Sequence, residues 1–387
     1  MKILWLTIDR SHRVAQHFNY FKYTVSKFAD VTVVEKCPIG DKGQNAWYIS
    51  HKLMSGETKI ENVVLNHLEK CSDYDYDFIF CDAFFAYIHE PWKKFGIPSA
   101  IFIEDVHGPV PKAQIKIAKD LGIKTIFHRF SYAFHKHHPR AKFDFKCIWL
   151  PHSIKMNRFS DEIEKSIGVL HIGIYTRDFY PNRRMAVKLL ENKSYFKRVK
   201  RPRDRAGTLR SSKWPIDKDY DNLLQSSWIC VTGGSKINAP VHKYVEIPAS
   251  GSLLMSNWFS DLGMLGFQDE VNMVSYSKEN LIERVEDLLN DKDEIKRISD
   301  KGRQLILNNH TSEIRTKQFI NYICQIVDRP LEFPDVETCS HQVCFSGQFI
   351  SKRKRVVINT AKRSPQLTKK IIPGTDWRSR IAASRQL

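Results

Sequence analysis

Apolar and polar positions along the chain fall into two alternating periods. KILWLTI (2–8) is a nearly continuous apolar run, and VAQHFNYFKYTVSKF (14–28) carries its apolar residues at helical spacing. VTVVE (31–35), FIFCDAFF (78–85), SAIFIED (99–105), KTIFH (124–128) and KCIWLP (146–151) repeat the strand signal. Continuous apolar strands separated by helices predict a parallel sheet covered on both faces. The pattern restarts after Pro151. GVLHIGIY (168–175) reads as a strand, RRMAVKLL (183–190) as a helix, and SSWICVTGG (226–234), SLLMS (252–256) and VNMVSY (271–276) as strands. From Lys278 to Val327 almost every residue favours helix. The expected fold class is α/β. It comprises an N-terminal Rossmann-like domain over 1–150, a C-terminal one over 151–329, and an extension over 330–387. A cleft between the halves would gather the carboxyl ends of both sheets, where open α/β sheets bind ligands.

One helix-to-strand passage, KYVEIPASGSLLMSN (243–257), concentrates the chemistry. Pro240 suits the first turn of a short helix, Pro248 limits that helix, and Gly251 supplies a left-handed turn before the next strand. Lys243 and Glu246, three apart, share one face. Just upstream, the strand WICVT ends in Gly233-Gly234-Ser235-Lys236. Glycines at a strand end let backbone N–H groups approach an anion, and the following helix start adds its positive dipole end. A diphosphate fits there, with Lys236 or Lys243 as counter-charge. Glu246, a turn further on, is placed to accept hydrogen bonds from a sugar diol.

Charge narrows the partners. The 387 residues carry a formal charge of +18, and from residue 348 onward eleven Lys and Arg face a single acid, Asp376. More than half the excess therefore lies in a short tail, which reads as an interaction arm for an anionic partner: nucleic acid, a phospholipid surface or a phosphorylated substrate. A second basic stretch is FKRVKRPRDRAGTLRSSK (196–213). The eight cysteines form no CxxC pair, and several sit in apolar runs, which points to a reducing compartment. The apolar start is too short for a signal peptide, and no run approaches a membrane span. A cytoplasmic protein is expected, with peripheral contact at the inner face of a membrane through the tail.

The passage from Lys243 to Asn257, followed by DLG (261–263), VNMVSYSKENLIERVEDLLND (271–291) and KGRQLILNNHTSEIRTKQFI (301–320), resembles the CgeB-like (spore maturation type) glycosyltransferases of the GT-B superfamily. WLPHSI (149–154) and GIYTRDFYPNRR (173–184) resemble that family's domain junction and its first C-terminal strand-loop-helix. The likeness spans roughly residues 145–325. It implies two Rossmann-like domains around a cleft and a nucleotide-diphosphate sugar as donor substrate, with no cofactor and no metal. By resemblance, Glu246 binds the donor ribose. Lys243, where the family usually has arginine, faces the phosphates, and Gly173 permits their close approach. Arg177 and Arg183 are further phosphate candidates. In the first half, DRSHR (9–13) lacks the glycines common in these enzymes. EDVHG (104–108) follows a strand, so Asp105 or His107 is the candidate base for a hydroxyl acceptor. The acceptor expected is an anionic one, a lipid-linked or polysaccharide glycan of the surface or envelope. The alternatives are a phage-type enzyme that glycosylates DNA and a non-catalytic basic nucleic-acid-binding protein.

Three other motifs carry less. DYDYD (73–77) contains an Asp-x-Asp, but it precedes its strand, the wrong end for holding a donor metal. FHKHHP (134–139) and CSHQVC (339–344) lack the spacing of a four-ligand zinc site.

Overall fold

The computed structural model describes residues 1–8, 17–36, 76–82, 96–159, 163–199 and 217–338. The loop 9–13, the basic residues 200–213, CSHQVC and the tail lie outside the described residues.

The first sheet contains β1 (Lys2–Ile8), β2 (Asp30–Lys36), β3 (Phe78–Cys81), β4 (Ser99–Ile103), β5 (Thr125–His128) and β6 (Lys146–Trp149). Every pairing is parallel, in the order β2-β1-β3-β4-β5-β6. Its apolar runs bury both faces, because successive side chains point to opposite sides. Ile3 and Trp5 enter one core, and Leu4 and Leu6 the other. The helices around it are α1 (His17–Val25), α2 (Pro109–Asp120), α3 (Ser131–His137) and the single turn α4 (Ala141–Asp144).

The second sheet contains β7 (Ile167–Ile172), β8 (Phe196–Val199), β9 (Ser227–Val231), β10 (Leu253–Ser256) and β11 (Val274–Ser275), again parallel, in the order β11-β10-β9-β7-β8. Its helices are α5 (Pro181–Leu190), α6 (Asp217–Gln225), α7 (Lys243–Ala249), α8 (Ser260–Met264), α9 (Leu281–Asn290), α10 (Lys292–Asn309) and α11 (Ser312–Ile326).

The structure differs from the sequence expectation in three places. The basic stretch at 196 opens with a strand, β8. It is an edge strand with half-buried side chains, a setting that tolerates Lys197 and Arg198. VNMVSY contributes only Val274 and Ser275 to the sheet, paired to Met255 and Ser256 at the other edge. The long helical run divides into three at capping residues. The Asp291 carboxylate accepts from the Glu294 N–H at 3.0 Å, and Thr311 Oγ1 from the Ile314 N–H at 3.3 Å.

The last helix leaves the second sheet and covers the first. Phe319 of α11 lies 4.8 Å from Phe80 and 5.8 Å from Trp5, ring centre to ring centre, with Tyr322 and Ile323 in the same core. Phe80–Phe319 is edge-on, and such aromatic pairs contribute about 0.5–1.5 kcal/mol each beyond their buried area. The outgoing and returning chains run side by side. Ile154 N–H donates to His310 O at 3.0 Å, and Ser312 N–H donates to Ile154 O at 2.8 Å. At this crossover His310 Nε2 meets Leu265 O at 2.8 Å, and Arg315 Nη2 donates to Nδ1 at 2.8 Å. Burial, then the Arg315 charge, push the His310 pKa down to about 3, so the ring is neutral and can hold both bonds.

The loops beyond β4 and β5 meet those beyond β7, β9 and β10. His107 packs on Phe179 at 4.9 Å, and Asp261 of α8 accepts the Tyr132 N–H at the start of α3 at 3.0 Å. The carboxyl ends of the two sheets thus face each other.

Candidate functional site

In the second sheet, β7 leads to β8 on one side, while β9 leads to β10 and β11 on the other. The order reverses between β7 and β9, and the crevice beyond their carboxyl ends is where such a sheet takes a ligand. Gly173 follows β7 there, and Gly233 follows β9.

Lys243, the first residue of α7, points into this crevice. Its Nζ donates to Ile172 O, the last carbonyl of β7. A Cβ on Gly173 would lie 3.1 Å from Lys243 Nζ and Cε, and Gly173 has φ +119°, a conformation side chains rarely adopt. Glycine is therefore required twice at this position, by the backbone and by the lysine.

Arg183, in the first turn of α5, joins the two strand ends. Its Nε donates to Gly233 O at 2.8 Å and its Nη1 to Ile174 O at 3.4 Å, while the guanidinium lies 3.9 Å over the Tyr180 ring. Arg183 is 3% exposed, and its Nη2 is buried with no hydrogen-bond partner among the described residues. That arrangement makes Arg183 a clamp between loops with one donor left over. The Gly233-Gly234 turn is gripped on all sides. Gly234 N–H donates to Asn257 Oδ1 at 2.9 Å, and a Cβ on Gly233 would meet Asn182 Cβ and Tyr276 Oη at 3.0 Å. Crowding accounts for both glycines, and the Gly234 N–H is already engaged.

Glu246 lies one turn along α7, 7% exposed and surrounded by donors. Arg158 Nη1 donates to Oε1 at 2.8 Å, His242 Nδ1 lies 2.9 Å from the same oxygen, and Tyr220 Oη donates to Oε2 at 2.9 Å. A carboxylate has about four acceptor positions. Three are filled, leaving one lone pair on Oε2. Burial by itself would raise the Glu246 pKa; the charges and hydrogen bonds of His242, Arg158 and Lys243 outweigh it and hold the group well below the usual carboxylate range. Burial, then Glu246, push the Tyr220 hydroxyl well up. Arg158 is in turn held by Asp221 of α6, Nη2 to Oδ1 at 2.7 Å. The other His242 nitrogen, Nε2, meets Ser153 O at 3.0 Å, which ties Glu246 to the crossover between the halves.

The remaining candidates divide. Arg177 is exposed and makes no hydrogen bond or ion pair with any described residue, and Lys236 is exposed with its Nζ 5.5 Å over Phe179. Asp105 and His107 stand on the opposite wall, beyond β4. Local desolvation, then the like charge of Glu104, push the Asp105 pKa up, with His107 pulling the other way. His107 Nδ1 is buried without a hydrogen-bond partner among the described residues. The structure therefore joins Gly173, Arg183, Gly233, Lys243 and Glu246 into one wall and sets Asp105 and His107 on the other, with Lys236 where they meet.

Arg158, Tyr220, Asp221 and Asn257 were not singled out from sequence. His242 had a readable signal, since it is four residues ahead of Glu246 on one helical face. Arg158 reaches Glu246 across 88 residues, and nothing local marks it.

Among the described residues no three His, Cys, Asp or Glu side chains cluster as metal ligands. In the histidine run, His138 Nε2 meets Val106 O at 2.9 Å and His128 stacks on Phe134 at 4.2 Å.

Residues 190–321, which contain β8 to β11 and the Lys243–Glu246 helix, match the family described as glycosyl transferase-like. No curated protein matches the chain. Among solved structures, a sucrose-phosphate synthase from Thermosynechococcus elongatus superposes with a TM-score of 0.56 at 12% identity, covering 85% of this chain and 100% of that one. Anabaena HepE in complex with UDP and glucose superposes with a TM-score of 0.52 at 11% identity, covering 83% and 99%. A putative UDP-N-acetylglucosamine 2-epimerase from Listeria monocytogenes gives 0.50 at 13% identity, covering 85% and 97%. The fold is GT-B: two parallel α/β sheets with their carboxyl ends opposed. At these identities the likeness concerns the fold alone.

Proposed function

We propose that the protein is a nucleotide-sugar-dependent glycosyltransferase that moves a sugar from a nucleoside-diphosphate donor to a hydroxyl acceptor. The observation that carries this reading is the meeting of Lys243, Arg183 and Glu246 at the β7/β9 reversal, inside the segment that matches the glycosyl transferase-like family. Lys243 Nζ and the free Nη2 of Arg183 would face the diphosphate, and the open lone pair of Glu246 would take one ribose hydroxyl. HepE, solved with UDP, supports a uridine nucleotide as the first to try.

In the reaction the acceptor oxygen attacks the anomeric carbon. The bond from that carbon to the phosphate oxygen breaks, and its electron pair leaves with the diphosphate. The acceptor proton passes to Asp105 or His107; the raised pKa of Asp105 brings its basicity closer to that task. Fixed cations would stabilise the leaving charge, so no metal is assigned to this step. A surface or envelope glycan is the acceptor proposed. Most of the basic residues that favour a DNA acceptor, or a plain nucleic-acid binder, those at 200–213 and in the tail, lie outside the described residues. Among the described residues no helix is long and apolar enough to cross a membrane.

The fold is shared with an epimerase, so the products decide. A thermal-shift panel of UDP, GDP and their sugars, followed by mass spectrometry, should show stabilisation by one nucleoside diphosphate. The products should be that diphosphate and a glycoside, unchanged by EDTA. Return of an isomerised nucleotide sugar without an acceptor, or a binding response to nucleic acid only, would overturn the reading.

A further inference from the structure

Five basic side chains from both halves gather where the two walls touch. His107 follows β4, Lys112 lies in the first turn of α2, Lys136 and His137 end α3, and Lys236 follows β9. They are close enough that, after burial, His107, Lys136, Lys112 and Lys236 together hold the His137 pKa down. Among the described residues no salt bridge joins Lys112, Lys136, Lys236 or His137 to a carboxylate, while His107 lies near enough to Asp105 to act on its pKa. The neighbouring acids leave the three lysines unpaired. Glu104 binds Arg129 at 3.2 Å, and the Asp105 pKa is pushed up.

The group is built rather than scattered. The His107 ring packs on Phe179 at 4.9 Å, Lys236 N–H donates to Phe179 O at 2.8 Å, and Lys136 Nζ sits 5.6 Å over Tyr132. Tyr132 is itself fixed by Asp261 across the domain boundary. The α2 N-terminus, with Gly108 as its cap residue and no capping side chain, adds its dipole beside His107. Among the described residues His107 Nδ1 is buried without a hydrogen-bond partner, a polar atom that a ligand oxygen would satisfy. The three lysine charges held this close repel one another, and a dianion among them relieves that repulsion.

We propose that this interdomain cluster binds a phosphoryl group carried by the acceptor substrate, held by His107, His137, Lys112, Lys136 and Lys236. The assignment rests on the transferase reading above and adds the chemical class of its acceptor. Four of the five residues belong to the first half, with the candidate base, whereas the cations assigned to the donor diphosphate, Lys243 and Arg183, belong to the second. A phosphate here would dock the acceptor with its hydroxyl toward Asp105, leaving Asp105 as the base. It would also draw the two halves together, because Lys236 reaches it from the other side. The phosphoryl group has two possible sources, a soluble phosphorylated sugar or a lipid headgroup.

Inorganic phosphate titrated into the full-length protein, saturated with UDP, provides the test. The readout is imidazole NMR, with His137 assigned through His137→Gln. The expected result is a saturable shift of the His137 signal that chloride at equal ionic strength does not produce. In Lys112→Ala the phosphate dissociation constant should rise about tenfold, as for one lost charge-assisted hydrogen bond, with UDP affinity unchanged. No shift, an equal shift with chloride, or displacement of phosphate by UDP would overturn the proposal. The same titration without UDP keeps the two readings apart, since phosphate binding does not depend on UDP binding at all. Phosphatidylcholine vesicles with and without phosphatidic acid identify the source. Sedimentation that requires phosphatidic acid and is lost in Lys112→Ala supports a lipid-borne phosphate. Phosphate binding without such sedimentation supports a soluble one.

Discussion

Gly173 and Glu246 show how single residues set the limits of the site. Adding a methyl group at Gly173 forces a side chain into φ +119° and onto Lys243 Nζ. The backbone strain is about 1–3 kcal/mol. Gly173→Ala is therefore predicted to weaken nucleotide binding by about tenfold or more in calorimetric titration, with the lysine displaced from β7. An unchanged affinity would remove Lys243 from the diphosphate site. Glu246 has two parts in the proposed donor site. One lone pair would take a ribose hydroxyl, and the other acceptor positions hold Arg158, His242 and Tyr220. Glu246→Ala should thus cost stability, ~3 kcal/mol, as well as affinity, because it leaves buried donors unpaired. Glu246→Gln keeps an acceptor for Arg158 and should lose affinity with a smaller fall in Tm. Equal Tm losses in both variants would show that the charge, not the hydrogen bond, holds the network. That Lys243 and Glu246 lie one turn apart on a short helix beside a strand end was readable from their spacing. That Glu246 is three-quarters saturated was not, because Arg158 and Tyr220 come from other elements.

At the scale of elements, the contact between α8 and α3 deserves a separate test. Helix α3 has Phe130 at its cap position and no capping side chain of its own. Asp261, fully buried in α8, accepts from the Tyr132 N–H instead. Burial pushes the Asp261 pKa up to about 6, with the backbone bonds of Tyr132 and Ser131 opposing it. A carboxyl group whose folded pKa exceeds its unfolded one binds protons more tightly when folded. Its contribution therefore falls as pH rises from about 4 to 6, and the cost above pH 6 is about 3 kcal/mol. Asp261→Asn keeps an acceptor for Tyr132 without the charge. The variant should gain stability over the wild type as pH rises through that window, measured as the difference in urea midpoints. A difference that does not vary with pH would contradict the assignment. The strands and their parallel pairing followed from the apolar runs, but not their order in the sheets. The passage of α11 onto the first sheet did not follow either, because its amphipathic pattern says only that a face is buried, not against what.

The whole molecule buries several histidines in neutral form. Burial, and then Lys243, push the His171 pKa down to about 3; burial and Arg315 do the same to His310; burial and Lys142 push His135 down to about 4. Such groups contribute stability that is complete above the unfolded pKa near 6.5 and lost as pH falls toward the folded value. The loss is about 1.4 kcal/mol per histidine for each pH unit below it. Three of them outweigh the opposite effect of Asp261. The Tm should therefore fall steeply between pH 6.5 and 5, followed by circular dichroism; a flat profile would mean that these rings find protonated partners on folding. At this scale the apolar runs disclosed two parallel sheets, one before Pro151 and one after it. They did not disclose the basic cluster between them, whose members stand far apart along the chain and converge only when both halves are folded.

The account depends on where the donor sits. A crystal structure of the protein with UDP or the nucleotide that stabilises it should place the diphosphate within hydrogen-bond reach of Lys243 Nζ beside Gly173, and one ribose hydroxyl on Glu246 Oε2. A nucleotide bound elsewhere, with Lys243 still donating to Ile172 O and Glu246 still closed by Arg158, His242 and Tyr220, would contradict it.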